Sequence, residues 1–312
     1  MTVKPTLDSP VKNPLAWKLN LTIAVGVLAV STAAIFIRLT LEAAGTRGIG
    51  FSLVMAATRL TIASLLLAPA WRNLKPARLE KAAIAQAALA GVFLALHFAG
   101  WIASLSYTSI AASTTIVTMN PIWVSLLSWW IYKDKPTKMT AIGIAIALMG
   151  GMAIGLGDSG GLYGGSNPIL GDLLALLGSW TISIYLLLAK SVQSRGMGIG
   201  PYSAIVCTCA ALVLLPMPFV FQTSYFGYPT EVYFYILLMA LIPQMIGHTS
   251  LNWAVRWTSP TLVALAVLFE PVASSFLGFL VFNEVPGISV LIGAIVLLFG
   301  VAIAAIGSRP QG

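Results

Sequence analysis

A chain of 312 residues that is 58% hydrophobic, only 8% charged and +0.93 in mean hydropathy is not a water-soluble domain. Its formal charge of +8 is scattered over short connections rather than gathered in a patch, so it marks orientation in a membrane and not a nucleic-acid surface.

The first 18 residues are polar and carry Lys4, Lys12 and Lys18. A cleaved signal peptide is the competing reading of this end, but the apolar segment 19–39 is too long for a signal core. About 20 residues suffice to cross a bilayer. Segments of that length recur at 19–39, 50–70, 82–105, 111–132, 138–157, 169–190, 201–221, 232–255, 260–282 and 287–307. The connections are short, the longest being the Gly-rich stretch Gly155–Asn167. The expected fold is therefore an all-α integral membrane protein of ten transmembrane helices.

Charge placement sets its orientation. If both termini are cytoplasmic, all of the 17 Lys and Arg residues except Arg38, Arg47 and Arg59 fall on the inner side. This is the positive-inside pattern. Trp17, Trp71, Trp129, Trp130 and Trp257 fall at cytoplasmic span ends and read as an interfacial belt.

Residues 108–150 align without a gap on 258–300. The pairs Val117/Val267, Pro121/Pro271, Pro136/Pro286, Gly143/Gly293 and Gly150/Gly300 are identical. With five spans per copy, 19–157 and 169–307, the second copy enters the bilayer inverted. The loops agree: Lys133, Lys135 and Lys138 follow the fourth span, whereas Asn283, Val285 and Ile288 follow the ninth. Two inverted five-helix repeats are the expected organisation, and such proteins are usually devices that switch between two states.

Pro121 and Pro271 lie near the centres of spans 4 and 9. Each lacks an N–H and crowds the carbonyl four residues back, at Val117 and Val267, so both helices are expected to bend there as hinges. Pro243 is also mid-span but has no counterpart in the other half. Arg59 and Glu270 are charges within spans, where each costs roughly 2.5–3.5 kcal/mol on insertion scales unless paired or hydrated. Their similar depth suggests an ion pair, or two poles facing a zwitterionic ligand. His97 and His248 lie on opposite sides of the midplane, roughly 12 Å apart in depth at 1.5 Å per residue. They are not expected to share a metal or form a dyad unless a helix breaks, and no Cys, Asp or Glu is spaced to complete a metal site. A proton relay or a plain buried histidine remains open for each.

Trp180, mid-span, with Tyr185 five residues on, and Trp101, one turn from His97, are candidates to stack on an aromatic or apolar substrate. The glycines of spans 5 and 10 read as close-packing stripes. Cys207 and Cys209 point apart on one helix and read as small buried residues. No GxxxxGK[ST], HExxH or GxSxG motif occurs, so neither an ATP-driven pump nor a zinc or serine hydrolase is indicated, and no cofactor is expected.

Arg59-Leu60, Tyr107-Thr-Ser-Ile-Ala-Ala112 leading to Asn120-Pro121, and Phe269-Glu270-Pro271-Val272 leading to Asn283-Glu284 together resemble the drug/metabolite transporter superfamily, EamA type. The resemblance covers essentially the whole chain. It departs at Lys133-Asp134, where that family usually shows Gly-Glu. It implies metabolite transport without ATP, often export, and within it the chain is most similar to bacterial amino-acid exporters, including the aromatic amino-acid branch. The expectation is an inner-membrane secondary transporter exporting amino acids by alternating access, with broad selectivity. The expected partners are a small-molecule substrate and the lipid bilayer. Arg59, His97, Trp101, Trp180, Tyr185, His248 and Glu270 are its candidate substrate-binding residues. An exporter of drugs or other metabolites is the alternative, and a channel or an intramembrane enzyme is the alternative of another class.

Overall fold

The computed structural model describes residues 15–73, 81–108, 110–133, 135–158, 166–282 and 288–307. Lys4, Lys12, Lys75, Arg78, Asp134, Asn283, Glu284, Val285, Pro286 and Arg309, all used above, lie outside the described residues. Among the described residues the protein is all helix, with no strand.

Helix α1 (Ala16–Ser31) and α2 (Ala33–Ala44) form one rod interrupted at Thr32. There Ser31 Oγ donates to Val27 O at 2.8 Å and Thr32 Oγ1 to Ala29 O at 2.7 Å, hydroxyl back-bonds that compete with the helix ladder and bend it. Gly45, at φ +61°, closes α2 in the left-handed conformation. Then come α3 (Ile49–Leu66), a short 3₁₀ turn (Ala68–Asn73) and α4 (Lys81–Ser104). The next span is not one helix but two, α5 (Ile110–Val117) and α6 (Asn120–Tyr132). After α7 (Lys138–Asp158) come α8 (Pro168–Ser194), α9 (Ile199–Leu214), the single turn α10 (Met217–Val220) and α11 (Thr230–Met239). A π-helical segment (Ala240–His248) joins α11 to α12 (Thr249–Trp257). A second broken pair, α13 (Pro260–Val267) and α14 (Glu270–Phe282), precedes α15 (Ile288–Gly307).

By length and apolarity, seven helices or helix pairs among the described residues suit a membrane crossing, and α7 and α15 carry shorter apolar stretches, 138–153 and 291–304. The outer surface is apolar: Ile295 is 69% exposed, and Phe276, Phe299 and Trp130 are exposed too. The interior, by contrast, holds Arg59, Gln244, Asn252 and Glu270. Polar inside and greasy outside is the inverse of a soluble fold and fits a lipid surround. The chain is a multi-pass membrane protein.

Small residues set the packing. A Cβ added at Gly143 or Gly150 of α7 would strike the backbone of Ala304 or Leu297 in α15, and one at Gly300 would strike Ala147. The two helices thus meet backbone to backbone. Gly91 and Gly100 likewise let α4 sit against Val206 of α9 and Leu174 of α8. At the end of α12, Lys190 of α8 donates to the carbonyls of Val255, Arg256 and Thr258 at 3.1, 3.2 and 2.9 Å, satisfying acceptors that the terminating helix leaves open.

Candidate functional site

The breaks in the two helix pairs fall at equivalent places. Pro121 occupies the first turn of α6 and Pro271 the first turn of α14. A proline tolerates that position, because its missing N–H has no helical partner there anyway. The expected bend is in fact an interruption. The chain tightens into three-residue turns, Met119 N–H to Ile116 O at 3.2 Å and Phe269 N–H to Ala266 O at 3.1 Å. Thr118 Oγ1 donates at 3.1 Å to Thr115 O, which this turn frees, and at 2.7 Å to Thr114 O, which also accepts from the Thr118 N–H. Asn120 O accepts from Ser183 Oγ of α8 at 3.4 Å.

A third irregularity is the π segment. Its wider turn surrounds Pro243, which cannot donate to the ladder, and π turns concentrate at functional sites. The segment changes the angular position and depth of His248 relative to a regular helix.

These three irregularities surround one cavity of about 50 Å³, room for a few waters. It lies among α1, α2, α4, α5, α6, α8, the π segment, α12, α13 and α14. Val30, Val117, Ile182, Leu186, Val263 and Val267 give it apolar walls. Its polar groups come from His97, Thr118, Asn120, Tyr185, His248, Asn252 and Glu270. Asn120 and Glu270, which align in the internal repeat, thus face one space.

Several acceptors among these groups have no partner. The Glu270 carboxylate has no hydrogen-bond or ion-pair partner among the described residues. Asn120 Oδ1 is buried without one. His97 Nδ1 lies 3.0 Å from Gly178 O, and since a carbonyl only accepts, Nδ1 carries the proton and Nε2 of the neutral ring is left as an acceptor. The Trp101 indole N–H is a donor without a partner, but it is neutral.

Of the residues singled out from sequence, His97, Trp101, Tyr185, His248 and Glu270 line this cavity, and Arg59 and Trp180 do not. Trp101 is 4% exposed and stacks on His97 with ring centres 5.8 Å apart. Trp180 is 46% exposed on another face of α8, packed edge-on against Trp123 at 5.4 Å. Mid-span position gave its depth but not its direction.

The two histidines, expected to lie too far apart in depth to meet, border the same cavity. Phe98 touches both rings, at 4.9 Å from His97 and 5.3 Å from His248. The two rings form no hydrogen bond with each other. No group of three or more metal-ligating side chains occurs among the described residues.

Arg59 and Glu270 form no ion pair. Arg59 is fully buried, donates from Nη2 to Gln244 Oε1 at 3.1 Å and lies over the Phe98 ring at 4.1 Å. Both contacts are real stabilisers of a guanidinium, but neither neutralises it.

Asn252, Gln244, Asn120 and Thr118 were missed from sequence. A proline in the adjacent turn was the available signal for Thr118 and Asn120; no local signal marks Asn252 or Gln244.

A family model described as the EamA-like transporter family matches this chain twice, over residues 17–156 and 169–306. The chain belongs to the EamA-like transporter family. Among curated relatives it is 24% identical over 237 residues to the uncharacterized transporter YyaM of Bacillus subtilis strain 168, covering 74% of this chain and 76% of that protein. An uncharacterized transporter of Archaeoglobus fulgidus is 22% identical over 293 residues, covering 91% of this chain and 96% of its own. The match to YetK of B. subtilis, 27% over 146 residues, covers 46% of this chain and spans only 44% of that protein's length. A solved crystal structure superposes with a TM-score of 0.74 over 94% of this chain and 98% of its own at 16% identity, which establishes a shared fold. This EamA-like protein is accordingly a membrane transporter, with its cavity bordered by residues from both matched regions.

Proposed function

We propose that this EamA-like transporter is a secondary exporter of amino acids. In this reading, ten spans form two inverted halves, 19–157 and 169–307, in a bacterial inner membrane with both termini cytoplasmic. The halves rock about the breaks at Pro121 and Pro271 and expose the central cavity to each side in turn.

One observation carries the choice of substrate. The cavity offers an unpartnered carboxylate, Glu270, beside the free Asn120 Oδ1 and the acceptor nitrogen of His97. Acceptors gathered around an anion in an apolar surround suit an ammonium group. The walls are Val, Leu and Ile with one stacked Trp, surfaces that grip side chains by area rather than by hydrogen bonds, so selectivity among side chains is broad. A cationic drug satisfies the same acceptors and is the second reading.

The test is counterflow in proteoliposomes holding purified protein. Several labelled amino acids, aromatic and aliphatic, are expected to exchange and to compete with one another. Transport of a cationic drug with no competition from any amino acid replaces this reading by the second one. Unsaturable conductance indicates a channel, and turnover of substrate in detergent indicates an enzyme.

A further inference from the structure

A second, smaller cavity of about 10 Å³ lies beside the first, toward the Leu67 end of α3. The two share Tyr185, His248 and Asn252 as a common wall. Asn252 Nδ2 donates to Tyr185 Oη at 2.5 Å, and this bond holds the wall closed. Asn252 is itself fixed from behind, where its backbone carbonyl accepts from Gln193 Nε2 at 3.0 Å.

Beyond the shared wall, the second cavity adds groups that can donate. Ser203 lines it at 4% exposure, and its hydroxyl has no partner. Gln244 lines it too. Because a guanidinium only donates, the Arg59 contact fixes the Gln244 amide with Oε1 toward Arg59 and its NH₂ turned away. That NH₂ meets only the Cys207 sulfur, at 3.8 Å, a weak acceptor. Behind Gln244, Arg59 keeps Nε and Nη1 without acceptors. A fully buried guanidinium held by an amide and a ring face, with no carboxylate in contact, is an incomplete charge site.

We infer that the Arg59–Gln244–Ser203 cluster is a subsite for the substrate's carboxylate, separated from the ammonium-accepting central cavity by the Tyr185–Asn252 hydrogen bond. This rests on the amino-acid reading above. Unfilled donors on one side of the Tyr185–Asn252 wall and unpartnered acceptors on the other suit a ligand that carries both a carboxylate and an ammonium, as an α-amino acid does. Opening the Tyr185–Asn252 wall joins the two spaces and lets one ligand reach both.

The experiment compares three ligands with the same side chain: phenylalanine, which has both poles, phenylalaninamide, which keeps the ammonium, and 3-phenylpropionate, which keeps the carboxylate. Affinities are read from thermal stabilisation of purified protein in detergent. Wild type is expected to bind phenylalanine at least about tenfold more tightly than the amide, a difference of about 1.4 kcal/mol. Arg59→Gln is expected to lose phenylalanine and phenylpropionate binding while amide binding holds, and Ser203→Ala to do so more weakly.

If Arg59→Gln fails to fold, Gln244→Glu decides. It is isosteric, sets a carboxylate against Arg59 and fills the subsite from within. It is expected to raise the melting temperature, abolish the advantage of phenylalanine over its amide and leave amide affinity unchanged. Full carboxylate affinity in a folded Gln244→Glu variant, or an equal loss of all three ligands in Arg59→Gln, overturns the subsite. Absence of amino-acid binding in the wild type, with a cationic drug bound instead, overturns the amino-acid reading itself.

Discussion

Met119 and Phe269 occupy the same turn in the two halves of the molecule. Each N–H reaches back three residues, to Ile116 O and Ala266 O, and each turn ends on a residue that faces the central cavity, Asn120 or Glu270. A proline follows each of those residues and keeps the two half-helices from fusing.

Restoring the missing N–H should therefore join them. Pro121→Ala and Pro271→Ala are each expected to lower amino-acid exchange in proteoliposomes by about tenfold, a barrier change of about 1.4 kcal/mol, with yield and melting temperature nearly unchanged. Unaltered exchange in both single variants and the double makes the breaks static features of the fold.

Trp101 lines the cavity and Trp180 lies half-exposed outside it, so on the proposed function only the first meets substrate. Trp101→Ala is expected to weaken aromatic substrates more than small ones, since it removes a buried ring stacked on His97. Trp180→Ala is expected to leave the ratio of phenylalanine to alanine uptake as it is. A selectivity change in the second variant without one in the first reverses this assignment.

The α7–α15 contact is tested by adding bulk where backbones touch. Gly150→Val is expected to destabilise the protein by about 1–3 kcal/mol, read as a lower midpoint in thermal denaturation in detergent. Gly151→Ala is the control. There the nearest neighbour is the methyl of Thr115 at 3.3 Å, a side chain that can yield, so a much smaller loss is expected.

The inverted arrangement of the halves is tested by impermeant thiol labelling in a background lacking Cys207 and Cys209. Cysteine at Thr137 is expected to label from the cytoplasm. That side chain donates to Gly307 O at 3.0 Å, so the loop after α6 and the end of α15 share one side of the molecule. Cysteine at Gly287 is expected to label from outside. Labelling of both from the same side rules out inversion.

Most of what depends on one-dimensional pattern was legible in the sequence. Apolar runs marked the helices, Pro121 and Pro271 marked the breaks, and the glycine spacing marked where α7 and α15 approach. What depends on direction around a helix axis was not. Trp180 and Tyr185, five residues apart, diverge by about 140° on α8, and only the packing of the folded chain decides that Tyr185 faces the cavity and Trp180 faces outward. Depth counted at 1.5 Å per residue separated the two histidines but could not show that one cavity reaches both. Asn252 and Gln244 carry no signature at all. Their role comes from facing Tyr185 and Arg59 on distant segments, a relation that only the folded chain contains.

Two small voids among the described residues are divided by a hydrogen bond between Tyr185 and Asn252. Divided in this way the two voids do not form one channel, and the exporter reading predicts that the unloaded molecule acts as a stopper rather than a pore. On that reading a cell can hold many idle copies without dissipating its potassium gradient or its membrane potential, and liposomes containing the empty protein are expected to keep an imposed ion gradient as long as bare lipid does.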